Sequence, residues 1–210
     1  MLATDSLGNN SFISRNILHA LIGTFQTTGF VSVENINTRQ VAAELAHEAS
    51  VSKTPFKHAA KNDDTIKYSA NISSPGPKAL KFLTSVQLSN TFHDLTGDRY
   101  NLTEHMSCIT VYTTGDLLSP HIDQPASDCD ITCILYLSCK SPAPSSPDTG
   151  LRLQVYGMDQ QSIRETPVLE IPSVSGRMVI GKGAQVWHGR PPLRDAESVM
   201  AVTSCFHLNL

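Results

Sequence analysis

The hydrophobic pattern of the chain changes character near residue 105. Before it, apolar residues recur at helical spacing in three segments, 14–29, 37–52 and 78–98. Asn37 would cap the second helix, and the third segment predicts one amphipathic helix, or a broken pair, ending at Gly97. The run "GFVSVEN" predicts a short strand between the first two helices. The polar stretch "KHAAKNDDTIKYSANISSPGP" indicates a surface loop, or a lid over a site.

Beyond residue 105, short apolar or alternating runs are separated by glycine, proline and serine. The runs are "MSCITVYTTG", "ITCILYLSC", "LRLQVYG", "QSIRETPVLEIPSVSG", "RMVIGKGAQVWHG" and "SVMAVTSCFHLNL". They predict about six to eight strands at intervals of roughly ten residues, which is typical of a β-sandwich or jelly roll. Helices followed by strands favour an α+β fold in which helices buttress one sheet. We expect one domain over 1–210, mainly helical in 1–104 and a strand core in 105–210.

Composition narrows the possible partners and compartment. The 210 residues are 40% hydrophobic and 17% charged, with a net charge of -3, so nothing favours nucleic acid or an anionic membrane as a partner. No secretory signal and no apolar stretch long enough to span a bilayer is present in the sequence. An odd number of cysteines with no CxxC pair predicts reduced, packed thiols in a cytoplasmic protein. These cysteines are Cys108, Cys129, Cys133, Cys139 and Cys205.

The stretch "SPHIDQ" places a histidine and an aspartate two residues apart. In a strand, residues i and i+2 point to the same face, so His121 and Asp123 can reach one metal ion. His188, near the end of "RMVIGKGAQVWHG", is the candidate third ligand. Two histidines and one carboxylate form a facial triad that suits non-haem Fe(II) and leaves positions open for other ligands. The alternative is that the three side chains are unrelated surface or loop groups.

The ordered series of motifs resembles a known family. It is similar to the Fe(II)/2-oxoglutarate dioxygenases of double-stranded β-helix (cupin-type, jelly-roll) fold, particularly their prolyl-hydroxylase-like branch. Within the strand core, the resemblance starts with Tyr112, Gly115 and the HxD motif in "YTTGDLLSPHID". It continues through "CILYLSC", "TGLRLQVYG" and "PSVSGRMVIGKGAQVWH", and covers the chain from about Gly29 onward. The resemblance implies that His121, Asp123 and His188 hold Fe(II), with 2-oxoglutarate and O2 as cosubstrates.

One position departs from the pattern of that branch. The family usually carries a cation, on the strand after the distal histidine, that pairs with the far carboxylate of 2-oxoglutarate, and the matching position here is Val199. A buried carboxylate needs a cationic or multi-donor partner. The candidates for that role are Arg194, Arg190 and Lys140, and Tyr112 could add a hydroxyl or simply pack in the core.

The resemblance implies oxidation, most simply hydroxylation, of an unactivated C–H bond. We expect a small-molecule substrate, such as an amino acid or a secondary-metabolite intermediate, and retention of Asp123 disfavours halogenation. Trp187 and Arg152 are candidate substrate contacts. The alternatives are that Trp187 packs in the core and that Arg152 is exposed to solvent. The alternatives are a peptidyl hydroxylase, an Fe(II) oxidase that uses no 2-oxoglutarate, and a non-catalytic metal-binding barrel.

Overall fold

The computed structural model describes residues 11–63, 66–143, 146, 148–157 and 166–209. The helices are α1 (Arg15–Thr28), α2 (Ile36–Val51), α3 (Pro77–Leu83) and α4 (Val86–Thr96). The strands are β1 (Phe30–Val33), β2 (Lys57–Asn62), β3 (Lys67–Ser73), β4 (Tyr100–Tyr112), β5 (Leu118–His121), β6 (Ile131–Lys140), β7 (Arg152–Gly157), β8 (Leu169–Pro172), β9 (Met178–Gly181), β10 (Trp187–Arg190) and β11 (Ser198–Leu208).

Local sequence signals explain where the helices begin and end. Asn35 caps α2 because its side chain accepts from the backbone of residues 37 and 38, while Thr38 completes a capping box. The cap is therefore Asn35 and not Asn37. Gly29 and Gly97 adopt the left-handed conformation that ends α1 and α4. The predicted third helix is a broken pair, since the chain turns between α3 and α4.

All the strands join one antiparallel sheet that folds over to form a nearly closed barrel. The order is β1-β9-β6-β11-β4-β3-β5-β10-β7-β8, and β2 pairs with β3 at one side. This arrangement confirms the predicted α+β, double-stranded β-helix fold. The expected strand "RMVIGKGAQVWHG" is in fact two strands, because β9 pairs with β1 and β6 whereas β10 pairs with β5 and β7.

The central strand β6 separates two hydrophobic cores. Its odd-numbered residues Ile131, Cys133 and Leu135 face the helices and pack in a core with Phe25, Leu45 and Phe92. Ile134 and Tyr136 point to the opposite face, into a second core inside the barrel. Helices therefore buttress one face of the sheet, and the other face lines the barrel interior.

Two sequence predictions are wrong in the N-terminal half and in the cysteine chemistry. The stretch predicted as a loop forms the hairpin β2–β3, which pairs with β4 and β5 and so belongs to the barrel. Cys129 and Cys205 form a disulfide, because the end of the loop before β6 lies against β11 with the two Cα atoms 4.7 Å apart. Cys108, Cys133 and Cys139 are free thiols, as expected.

Two further observations complete the fold. Residues 161–165, the first part of the expected strand "QSIRETPVLEIPSVSG", lie outside the described residues. Among the described residues, no helix combines the length and the apolar character needed to cross a bilayer.

Candidate metal centre

The two histidines of the predicted triad face each other across neighbouring strands. His121 is the last residue of β5, His188 lies on β10, and the two are direct partners in the antiparallel register. Their ring centroids lie 4.4 Å apart. His188 is 2% exposed and His121 is partly buried. The pairing of β5 with β10 therefore brings together two residues that are far apart in the sequence.

Backbone carbonyls orient both imidazole rings. His121 Nδ1 lies 3.1 Å from the carbonyl oxygen of Ser119, and His188 Nδ1 lies 2.9 Å from that of Val186. A carbonyl only accepts, so each Nδ1 carries the hydrogen in the neutral ring and donates it. The lone pair of each Nε2 atom is then free for a metal ion, and an Nδ1–H bond of this kind commonly supports a metal-ligating histidine.

Asp123 completes the set. Its Oδ1 lies 3.3 Å from His121 Nε2, and its Oδ2 lies 3.8 Å from His188 Nε2. The three potential ligand atoms all lie within 4.8 Å of one another. Asp123 itself follows the end of β5, so it is not held by strand pairing; its backbone N–H donates to Gly183 O at 2.9 Å.

The electrostatics of the cluster favour a neutral histidine beside an ionised carboxylate. Burial, followed by the neighbouring His121, lowers the pKa of His188 to about 4, although Asp123 opposes this shift. Burial alone would raise the pKa of Asp123, but the charge that His188 carries in its protonated form, the contact with His121 and the hydrogen bond from Thr132 outweigh it, so the pKa falls well below its usual range. At neutral pH, both groups are thus in the forms that bind metal ions.

A pocket inside the barrel opens beside this cluster. It contains about 450 Å³ of space unfilled by protein atoms, including the solvent at its mouth. The lining includes the three residues of the cluster and Arg190. The remaining lining is mostly apolar or aromatic: Tyr112, Leu118, Thr132, Ile134, Tyr136, Leu153, Ala201 and Thr203.

Arg190 points into this pocket because it is two residues after His188 on β10. It is 5% exposed. Its guanidinium donates to Tyr136 Oη and Ser173 Oγ, both at 2.9 Å, and stacks over the Tyr112 ring at 5.3 Å. Within the described part of the chain, no carboxylate forms an ion pair with Arg190.

The other candidate anchors lie elsewhere. Val199, at the position where the related branch carries a cation, is buried in the barrel core on β11. Arg194 is exposed, and its Nε donates to the Asp148 carbonyl. Lys140 is exposed at the end of β6. Neither the Arg194 nor the Lys140 side chain lines the pocket, whereas Arg190 does.

The two candidate substrate contacts also lie outside the pocket lining. Leu151 and Leu153 face the barrel core, so Arg152 points to the opposite face and pairs with Glu170 at 3.4 Å. Trp187 precedes His188 and so projects from the other face of β10. Tyr112 is buried and lines the pocket, and burial raises the pKa of its hydroxyl, which stays protonated.

Sequence reasoning missed three polar residues that shape the site. Thr132 donates a hydrogen bond to Asp123 Oδ2, and Tyr136 and Ser173 hold Arg190. The alternation of β6 carried a usable signal, because Thr132 and Tyr136 share the face opposite the apolar Cys133 and Leu135. No local pattern marks Ser173, which reaches Arg190 only through the tertiary fold.

Comparisons with known proteins agree on the fold. No family model matches the chain, and no curated protein sequence does. Among solved structures, the chain is similar to a Pseudomonas putida prolyl-4-hydroxylase, with 15% identity, a TM-score of 0.59, and 92% of this chain and 100% of that chain covered. It is also similar to the non-haem α-ketoglutarate-dependent epimerase SnoN from nogalamycin biosynthesis, with 10% identity, a TM-score of 0.69, and coverage of 92% and 83%.

A third similar structure contains the expected kinds of ligand. It is HygX from Streptomyces hygroscopicus with nickel and 2-oxoglutarate bound, with 13% identity, a TM-score of 0.61, and coverage of 93% and 87%. At these identities the likeness establishes the fold. The chain has the double-stranded β-helix architecture of structures described as Fe(II)/2-oxoglutarate oxygenases.

Proposed function

We propose that this protein is an Fe(II)- and 2-oxoglutarate-dependent oxygenase that oxidises a C–H bond of a small molecule. The observation that carries the proposal is the pairing, across one pocket, of a two-histidine, one-carboxylate cluster with a buried arginine that has no carboxylate partner among the described residues. The cluster predicts an Fe(II) ion and the arginine predicts the carboxylate of 2-oxoglutarate. Fe(II)/2-oxoglutarate oxygenases use both ligands in one reaction.

The donor set fits Fe(II). Two neutral imidazoles and one carboxylate are the ligands of the facial triad, whereas a closed structural zinc site would need a fourth protein ligand. His121, Asp123 and His188 would hold the metal ion. Their Nε2 and carboxylate atoms converge, and their other polar atoms are already bonded to the protein, so little reorganisation is needed on binding.

Arg190 fits the far carboxylate of 2-oxoglutarate. Burying a guanidinium is costly unless an anion compensates for its charge, and the hydroxyls of Tyr136 and Ser173 are neutral. A planar guanidinium can bind a carboxylate with two parallel hydrogen bonds. Because it shares the inner face of β10 with His188, it lies in the same pocket as the cluster.

When bound, Fe(II) with 2-oxoglutarate and O2 supplies the oxidising power for C–H cleavage, as metal cofactors do in such oxygenases. The protein contributes binding and orientation. Arg190 would set the orientation of the cosubstrate, and the protonated Tyr112 would donate a hydrogen bond in the pocket. The apolar side chains of Leu118, Ile134 and Leu153 exclude water from the space beside the cluster.

A small molecule is the substrate class that the pocket supports best. The cavity lies inside the barrel, and its lining combines apolar and aromatic side chains with polar groups that can orient a ligand, as is usual for small-molecule sites. The similarity to an epimerase of nogalamycin biosynthesis also supports this class. The similarity to a prolyl-4-hydroxylase keeps a peptidyl substrate as a testable alternative.

The test begins with anaerobic titration of the protein with Fe(II), followed by 2-oxoglutarate, monitored by visible absorption. We expect a weak charge-transfer band for the wild type, none for His188→Ala, and an unchanged band for the control His105→Ala, whose ring is 71% exposed. Succinate release would then be used to screen small molecules against proline-containing peptides.

Each failure has a distinct meaning. Absence of iron binding would refute the metal centre. Iron binding without a 2-oxoglutarate band would refute the cosubstrate assignment and favour a 2-oxoglutarate-independent oxidase or a non-catalytic barrel. Oxygen consumption separates those two.

A further inference from the structure

Asp123 differs from the two histidines in how it is held. His121 and His188 belong to paired strands, but Asp123 lies beyond the end of β5. Its backbone donates to Gly183 O, which positions the main chain only. A carboxylate on a short, rotatable side chain therefore needs a separate contact to present one oxygen to a metal ion.

Thr132 provides that contact from a rigid position. It lies in β6, paired with Gly181 of β9 on one side and with Cys205 of β11 on the other. Its side chain is 2% exposed, and its hydroxyl donates a hydrogen bond to Asp123 Oδ2. Hydrogen bonds to a charged acceptor are about twice as strong as neutral ones.

The surroundings of this bond leave Thr132 as the donor. Cys129 Sγ lies 3.2 Å from the Thr132 hydroxyl and 3.5 Å from Asp123 Oδ2, but as a disulfide sulfur it carries no hydrogen. A Cβ atom on Gly183 would collide with both Thr132 Oγ1 and Asp123 Oδ2. Gly183 therefore leaves the space in which the two side chains meet.

We propose that Thr132 is a positioning residue that holds Oδ2 of Asp123 and so leaves Oδ1, the oxygen nearer His121, to bind the metal ion. The inference rests on the proposed function. Coordination through one oxygen rather than two keeps a position open for cosubstrate or O2, which the chemistry of a facial triad requires.

The test uses Co(II) as a redox-stable substitute for Fe(II). Thr132→Val removes the hydroxyl and keeps the shape, whereas Thr132→Ser keeps the hydroxyl. Loss of a supporting contact to a metal ligand typically weakens binding 10- to 100-fold. We expect this loss of Co(II) affinity for Thr132→Val, with an altered visible spectrum of the Co(II) protein that reports changed coordination. Thr132→Ser should restore both the affinity and the spectrum.

The controls separate positioning from general stability. Thr110→Val removes another buried threonine hydroxyl, on β4 and outside the pocket lining, and should leave Co(II) affinity unchanged. Thermal unfolding of the metal-free variants checks the fold, and Thr132→Ala carries the test if Thr132→Val does not fold. Wild-type affinity in Thr132→Val, or equal losses in the Val and Ser variants, would overturn the inference and leave the metal centre intact. Absence of Co(II) and Fe(II) binding by the wild type would overturn both.

Discussion

Replacing Arg190 with methionine should abolish tight 2-oxoglutarate binding and leave the fold and the metal centre intact. The guanidinium lies inside the barrel, and it contacts neutral groups: the hydroxyls of Tyr136 and Ser173, the Gly150 carbonyl and the face of Tyr112. Methionine replaces the aliphatic part of the arginine side chain and carries no charge. The substitution therefore tests whether the charge is present for an incoming carboxylate.

The magnitude follows from the burial of the pair. Removing one member of a buried, hydrogen-bonded charge pair costs about 2–5 kcal/mol, because the other charge is left without compensation. At about 1.4 kcal/mol per tenfold change, a middle value near 3 kcal/mol raises the Kd of 2-oxoglutarate roughly 100-fold. The free protein loses hydrogen bonds to two hydroxyls but also loses an uncompensated buried charge, so we expect its Tm to change by only a few degrees.

The assay is anaerobic calorimetric titration of the Fe(II)-loaded protein with 2-oxoglutarate. Arg194→Met is the matched control, since this neighbouring arginine is exposed and donates to the Asp148 carbonyl outside the pocket. Arg190→Lys should be intermediate, because an ammonium keeps the charge but loses the two parallel hydrogen bonds. An unchanged Kd in Arg190→Met, or an equal loss in Arg194→Met, would refute the reasoning.

Two further predictions concern stability. Because the pKa of His188 falls to about 4 in the fold, from 6.5 in the unfolded chain, the unfolded state takes up the proton first on acidification. The free energy of unfolding of the metal-free protein should therefore fall by about 3 kcal/mol as the pH drops from 6.5 to 4; urea titrations should show a flatter profile for His188→Gln, and an identical slope would contradict the assignment. The disulfide between Cys129 and Cys205 closes a loop with a sequence separation of 76, so replacing both cysteines with serine should cost up to about 4 kcal/mol. An unchanged urea midpoint for that double variant would show that the link adds nothing to stability.

Periodicity predicted the architecture well where burial is one-sided. The amphipathic segment 14–29 and the alternating run in β7 each pack one face against a core. Residue spacing alone therefore identified α1 and β7. The β2–β3 hairpin was not predicted because its residues are mostly polar and only Ala70 among them is buried. β3 is held by pairing with β4 and β5, and β2 by pairing with β3, and the contacts with β4 and β5 are tertiary information.

The part of the candidate site that local sequence motifs encode was predictable. The HxD spacing and the distal histidine are local motifs, and the structure brings those three side chains together. The choice among cations was open in the sequence, because Arg190 and Arg194 lie only four residues apart. Strand alternation after His188 directs Arg190 inward, whereas Arg194 lies beyond the end of β10, where alternation no longer applies.

The shared location of His188 and Arg190 has a consequence for how this pocket tolerates change. Both side chains project from one four-residue strand, β10, whose register with its two neighbours is already irregular at His188. A single-residue insertion or deletion in the turn before β10 would shift the strand by one position and turn both groups away from the barrel. Metal binding and carboxylate binding would then be lost in one step. A variant that keeps either metal binding or carboxylate binding, but not both, would arise from a point substitution and not from an insertion or deletion before β10.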